Sequence, residues 1–172
     1  LMRNIDDKIA LLKSSGSCVF CDLTQGNFKG SDLKGVDLRY SNLSGANLSN
    51  TNLSGAIIHH SNLSGANLDG VDLSNKDLTG VILQHANLSR ANLDGVDLSN
   101  NDLTGVNLSG VDLRYKDLTG TILSYTILAG ANLSGVDLSH KDLTGVILHH
   151  ANLSGANLDG VDLSNNDLTG VN

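Results

Sequence analysis

Hydrophobic residues recur along this chain at a spacing of five. From Leu23 to Leu168 every fifth residue is Leu, with Phe28 and Ile58 as the two replacements and no insertion between them. The residue two before each Leu is usually Ala, Val, Ser or Thr, and the residue just before it is Asn or Asp. Ser or Thr commonly follows, and then Gly, as in NLSGA, DLTGV and NLDGV. Neither regular element can use this period. On an α-helix five residues advance about 140°, which scatters the leucines around the cylinder. On a straight strand the odd spacing throws successive leucines to opposite faces. The chain must therefore turn once in every five residues to keep each Leu on one side.

Glycine at 17 of the 29 closing positions from Gly30 to Gly170 supplies that turn, because glycine accepts the positive φ of a type II corner. Asn50, Asn75, Asn100 and Asn165 close others and also tolerate the left-handed region. Tyr40, Tyr115, Tyr125, His60 and Arg90 tolerate it less well, so more than one kind of corner is expected. Four corners close a square lap of 20 residues, and stacked laps share backbone hydrogen bonds about 4.8 Å apart. The repeat region then makes nearly eight laps in a rod about 38 Å long. Its core is a ladder of leucines beside a ladder of small residues. Each buried Leu contributes roughly 1.5–3 kcal/mol, and no lap closes its core alone, which is solenoid energetics.

The tandem units ANLSG, ANLDG and VDLSN resemble the A-(D/N)-L-x-x motif of the pentapeptide-repeat family, over roughly residues 21–172. The resemblance implies an all-β fold: a right-handed quadrilateral parallel β-helix with the central Leu and the small residue inward.

The expected organisation is an N-terminal capping helix in 1–16 and a β-helix in 17–172, with a pattern that can continue past Asn172. Asn4 is a candidate N-cap, Ile5, Ile9 and Leu12 share a helix face, and Gly16 is the stop. At the other end no lid follows, so Leu153, Leu158, Leu163 and Leu168 are expected to form an uncapped end, open to more chain, a partner or a second copy. Unpaired strand edges invite such pairing.

Composition narrows the function. Net charge is −7, with residues 1–40 at +1 and 41–172 at −8, which argues against direct nucleic-acid binding. No apolar run approaches the roughly 20 residues of a membrane span. No nucleophile–base set, phosphate loop or metal cluster stands out, and a core two side chains wide leaves no ligand pocket. The chain is therefore expected not to be an enzyme, and to need no cofactor and no small-molecule substrate.

Several residues remain as candidates. Cys18 and Cys21 fall on the inward Leu and small-residue registers. The expectation is buried free thiols; the alternatives are a disulfide, which would place the chain in an oxidising compartment rather than the cytoplasm, and a metal or redox site. The six histidines sit at outward positions and read as surface residues. Asp77, Asp97, Asp117 and Asp137 share one column on consecutive laps, a candidate acidic ladder. Lys76, Asn101, Lys116, Lys141 and Asn166 replace the small inward residue; the lysines are expected to extend outward and keep their charge in water. Ile122, Tyr125, Ile127, Ile147, His149 and His150 form a candidate interaction patch, with Ile replacing the usual outward Asn or Asp. Against any face-specific site, residues 67–107 recur at 132–172 with 37 of 41 positions identical. That shift of 65 is three laps and one side, which rotates the copy by a quarter turn.

The reading these features favour is a non-enzymatic structural or protein-interaction scaffold. The alternative is a DNA-mimic regulator, similar to the topoisomerase-binding, quinolone-protecting members of the family. Those members pair through a C-terminal module and carry loop insertions, and neither feature is present in this sequence.

Overall fold

The computed structural model describes residues 4–172; the first three residues of the expected 1–16 segment lie outside the described residues. Helix α1, Ile5–Ser15, opens the chain. Asn4 Oδ1 accepts the Asp7 N–H at 2.8 Å, and Asp6 and Asp7 lie in the first turn, where the helix dipole favours negative charge. Gly16, at φ 74°, ends the helix by donating its N–H to the Leu12 carbonyl. Leu12 is fully buried in the same core as the repeats, and Ile5 and Ile9 pack against that core.

From Ser17 onward the chain is a parallel solenoid. Bridges join residues 20 apart, starting with Ser17–Asp37 and Asp22–Asn42 and ending with Asp137–Asn157. Each complete rung repeats three bonds. The Leu23 N–H donates to the Asn42 carbonyl at 2.8 Å, Asn42 N–H returns to Cys21 at 2.8 Å, and Gln25 N–H reaches Ser44 at 3.0 Å. Each corner is closed by the residue three after the Leu, as where the Gly26 N–H donates to Leu23 O. Four walls result per lap. Wall A carries the column beginning at Leu23, wall B at Phe28, wall C at Leu33 and wall D at Cys18. Walls B and D are opposite.

The column side chains are buried throughout, from Cys18 to Leu153. The outward Asn or Asp also has a structural task. Its Oδ1 accepts the N–H two residues on, as Asn47 does from Ser49 at 3.1 Å and Asp77 from Thr79 at 2.9 Å. That bond fixes the entry to the corner, which is why a short carboxamide or carboxylate precedes each Leu.

The corners differ from expectation. Closing residues from Phe20 to Gly170 share a positive φ, 54–62° for side-chain-bearing residues and 64–72° for glycine, with Asn165 the exception. Tyr, His and Arg therefore adopt the same corner as Gly. What accommodates them is the lap above. The rings of His60, His85 and His140 lie where a Cβ on Gly80, Gly105 or Gly160 would be, within 2.4 Å of it. From Gln25 to His150 each non-glycine closing residue is followed one lap later by Gly, except Tyr40, which is followed by His60. There the rings stack instead. Phe20 lies on Tyr40 and Tyr40 on His60, each pair 4.8 Å apart.

Candidate interaction surfaces

Wall D carries the acidic column. Asp77, Asp97, Asp117 and Asp137 each accept the N–H two residues on, at 2.9 Å. Hydroxyls of Thr79, Ser99 and Thr119 donate to the first three. These bonds hold all four carboxyls below the ordinary carboxylate range, with Asp117 pushing Asp97 the other way. His59 Nδ1 lies 3.4 Å from Asp77.

The same column is where the backbone ladder fails. Among the described residues no bridge joins Ile57 to Asp77, Asp77 to Asp97, Asp97 to Asp117 or Asp117 to Asp137. The cause lies two residues before the Leu. Lys116 Nζ donates to Leu93 O and, at 2.8 Å, to Val96 O, the carbonyl that the Asp117 N–H would take in a regular rung. Lys141 Nζ donates likewise to Leu118 O and, at 2.9 Å, to Thr121 O. Asn166 Nδ2 reaches Leu143 O and Val146 O at 3.0 and 2.8 Å. The outward course expected for these lysines is therefore wrong for Lys116 and Lys141. Both are half-buried, and their ammoniums turn along the axis onto backbone carbonyls of the preceding lap. Burying an ammonium is costly when it is unpaired; here one carbonyl vacated by the ladder and one corner carbonyl, which also accepts its own corner N–H, pair it. Desolvation still pushes the Lys76, Lys116 and Lys141 ammoniums below the ordinary lysine range, with nearby aspartates acting in the opposite direction.

All five replacements coincide with a missing rung to the preceding lap: 57–77, 82–102, 97–117, 122–142 and 147–167. The lysines also abolish the rung on their far side, whereas the shorter Asn101 leaves 102–122 intact. Open grooves fill these gaps. One of them, about 590 Å³, is lined by Asp94, Asp97, Asp112, Arg114, Lys116 and Asp117. The groove at residues 75–101 has its counterpart at 140–166, on the next wall round. The internal copy thus carries its interruption with it.

The apolar candidates occupy the edge between walls A and B. Ile127 and Ile147 are bridge partners on adjacent laps. Ile122 is 48% exposed and Tyr125 60% exposed, the Tyr125 ring lying against Gly145. His149 and His150 lie at the other corner of wall B, between walls B and C, with rings 6.4 Å apart, and His149 Nδ1 is 3.9 Å from Asp167. Ile57 and Ile82 are also exposed, Ile57 on wall D and Ile82 on wall A in the column of Ile122, two laps earlier. The Phe20–Tyr40–His60 stack is the surface feature that the sequence reading missed. Its signal was present: three aromatic residues at closing positions 20 apart.

Cys18 and Cys21 are joined by a disulfide, which corrects the expectation of free thiols. They flank one corner with both side chains turned inward and Cα atoms 5.3 Å apart, within bridging reach. In the last lap Leu153 is buried, Leu158 and Leu163 are half-buried and Leu168 is 41% exposed. Among the described residues no group of three or more His, Cys, Asp or Glu could hold a metal ion. No described helix is long and apolar enough to cross a membrane.

A 20-residue parallel lap with an inward Leu in each wall defines a repeat solenoid whose chemistry lies on its outside. The sequence profile described as "Pentapeptide repeats" matches in eight copies over residues 17–55, 61–100, 102–139 and 142–172, and the chain belongs to the pentapeptide-repeat family. Among solved structures it is similar to HetL from the cyanobacterium Nostoc sp. strain PCC 7120, a pentapeptide repeat protein involved in heterocyst differentiation regulation. Identity there is 24%, covering 99% of this chain and 94% of that one, at a TM-score of 0.56. It also matches QnrB1, a plasmid-mediated fluoroquinolone resistance protein, at 22% identity over 90% and 88% of the two chains, TM-score 0.49. Rfr23 from the cyanobacterium Cyanothece 51142 matches at 23% identity over 98% of each chain, TM-score 0.33. No curated protein matches the sequence.

Proposed function

We propose that this chain is a non-enzymatic protein-interaction scaffold: a right-handed rod of about eight laps, lidded by α1 and presenting its outer walls to a protein partner. The observation that carries this is the wall A–wall B edge. Ile122, Tyr125, Ile127 and Ile147 lie together on two laps at positions that elsewhere hold Asn, Asp or Gly. Leu does not need Ile beside it to close a corner, since Asn or Asp does so better, so these residues are explained by contact with another protein. The half-buried Leu158 and Leu163 with the exposed Leu168 are a second apolar area that a partner would cover. The Cys18–Cys21 disulfide fits a fold acquired in an oxidising compartment.

Light scattering across a wide concentration range tests the scaffold reading. A mass that rises with concentration, and stays monomeric in an Ile127→Asp, Ile147→Asp variant, supports the edge as a contact surface. A concentration-independent monomer that retains no partner in affinity capture would remove it. The second reading, a DNA-mimic regulator of a type II topoisomerase, draws on the ionised column Asp77, Asp97, Asp117 and Asp137. A gyrase supercoiling assay decides it: no effect of added protein disposes of that reading.

A further inference from the structure

Walls B and D face each other across the core, and their backbones are stitched very differently. On wall B the rungs 27–47, 47–67, 67–87, 87–107, 107–127 and 127–147 form an unbroken series. The Leu48, Leu68, Leu88 and Leu108 N–H groups each donate to the next lap at 2.7–2.8 Å, and the returning bonds from Asn67, Asn87 and Asn107 are all present. On wall D the four rungs from Ile57 to Asp137 are missing together. Among the described residues the inter-lap backbone bonds left along that stretch are His60 to Thr79 and Asn100 to Thr119, both at the corner. The gap begins one wall earlier at the laps that carry lysine, because rungs 52–72 and 92–112 of wall C are absent too.

A solenoid is held by nearest-neighbour contacts between laps. When one wall keeps every ladder bond from Asn27 to Ile147 and the opposite wall has lost four rungs in a row over the same laps, resistance to separating those laps is unequal around the axis. Separation then begins on the weak side, and the strong side acts as the pivot. Lys116 maintains this state at the 97–117 rung. Lys116 holds Val96 O, so the Asp117 N–H has no ladder acceptor until the ammonium leaves. Lys76 occupies the matching position two laps earlier.

We propose that the wall D stretch from Ile57 to Asp137 is a built-in seam, held open by the inward lysines, about which the rod bends with wall B as its hinge. Bending widens or narrows the grooves between Asp77, Asp97, Asp117 and Asp137 and leaves the leucine core of wall B in register. The acidic column is thus an adjustable surface rather than a rigid one. This holds whichever partner the protein has.

Residue-resolved amide hydrogen exchange on the full chain tests the seam. Amides of Leu78, Asp97, Leu98, Asp117 and Leu118 should exchange on the order of 100-fold faster than those of Leu48, Asn67, Leu68, Asn87 and Leu88. Equal protection on the two walls would overturn the proposal without any variant. The role of lysine is tested by Lys116→Val, which places in that column the residue already found at Val96 and Val136. The Leu98 and Asp117 amides should then slow by at least about tenfold while wall B is unchanged. If those two amides stay as fast in the folded variant, lysine does not hold the seam open and that half of the proposal fails.

Discussion

Walls B and D are built from the same five-residue motif and turn the same corners, yet one is continuous from Asn27 to Ile147 and the other is broken from Ile57 to Asp137. The difference is a single position per unit. Wall B places Ala46, Ala66, Ala86 and Val106 two residues before the Leu, and wall D places Ala56, Lys76, Val96 and Lys116 there. A small residue lets the next lap approach to ladder distance. Lysine both fills the space and supplies a competing donor for the carbonyl the ladder needs. The repeat therefore tolerates chemistry at its small position by giving up backbone bonds locally, and the solenoid survives because each lap is still held on its other walls.

That contrast can be broken or sharpened in four ways. The largest effect is expected in the leucine ladder. Leu88→Ala, in stitched wall B, should cost about 4 kcal/mol, and Leu98→Ala, beside the seam, about 2–3 kcal/mol, because a site that can collapse keeps a smaller cavity. Denaturant unfolding of the two variants checks this, and equal losses would argue that the seam relaxes nothing. Next, Val106→Lys should insert into wall B the side chain that wall D tolerates. Wall B offers no vacated carbonyl, so a loss of about 3 kcal/mol is expected. A neutral result would mean that any rung yields to lysine as readily as wall D does.

The third comparison concerns corners. At Gly145 a Cβ would lie 2.2 Å from the Tyr125 ring, whereas at Gly130 nothing stands within 4 Å, and both residues have positive φ. Gly130→Ala should cost about 1 kcal/mol, the left-handed strain alone. Gly145→Ala should cost about 2 kcal/mol, adding the displaced ring. Thermal melts of the pair separate the two causes. The smallest effect is electrostatic. The wall D aspartates have folded pKa values below the unfolded value, so they add stability above that value and lose it as pH falls through the folded one. The melting temperature should be level from neutral to about pH 5 and decline below about pH 4. An Asp97→Asn, Asp117→Asn variant should show a shallower decline, since Asn at these positions, as at Asn67 and Asn87 of wall B, does not titrate.

The N-terminal region shows the same division between local and distant causes. Helix α1 runs from the Asn4 cap to the Gly16 stop, and both signals lie within a few residues of the turns they control. The disulfide did not follow from such local reasoning. Spacing placed Cys18 and Cys21 inward, but their approach depends on how tightly the corner between them closes. Inward lysine is out of reach of local reasoning for a related reason. An apolar interior would send the ammonium outward, and the carbonyls that receive it belong to residues 20 and 23 positions earlier.

What the amino-acid order determined by itself is the period. A Leu in every fifth place, with a residue able to turn after it, permits no helix and no flat strand, so the 20-residue lap and its inward ladder follow from local geometry. What the tertiary structure alone decided is how neighbouring laps share their bonds. Each carbonyl can serve the backbone above it or a side chain that arrives there first. That competition is between groups 20 residues apart, and only stacking brings them within reach.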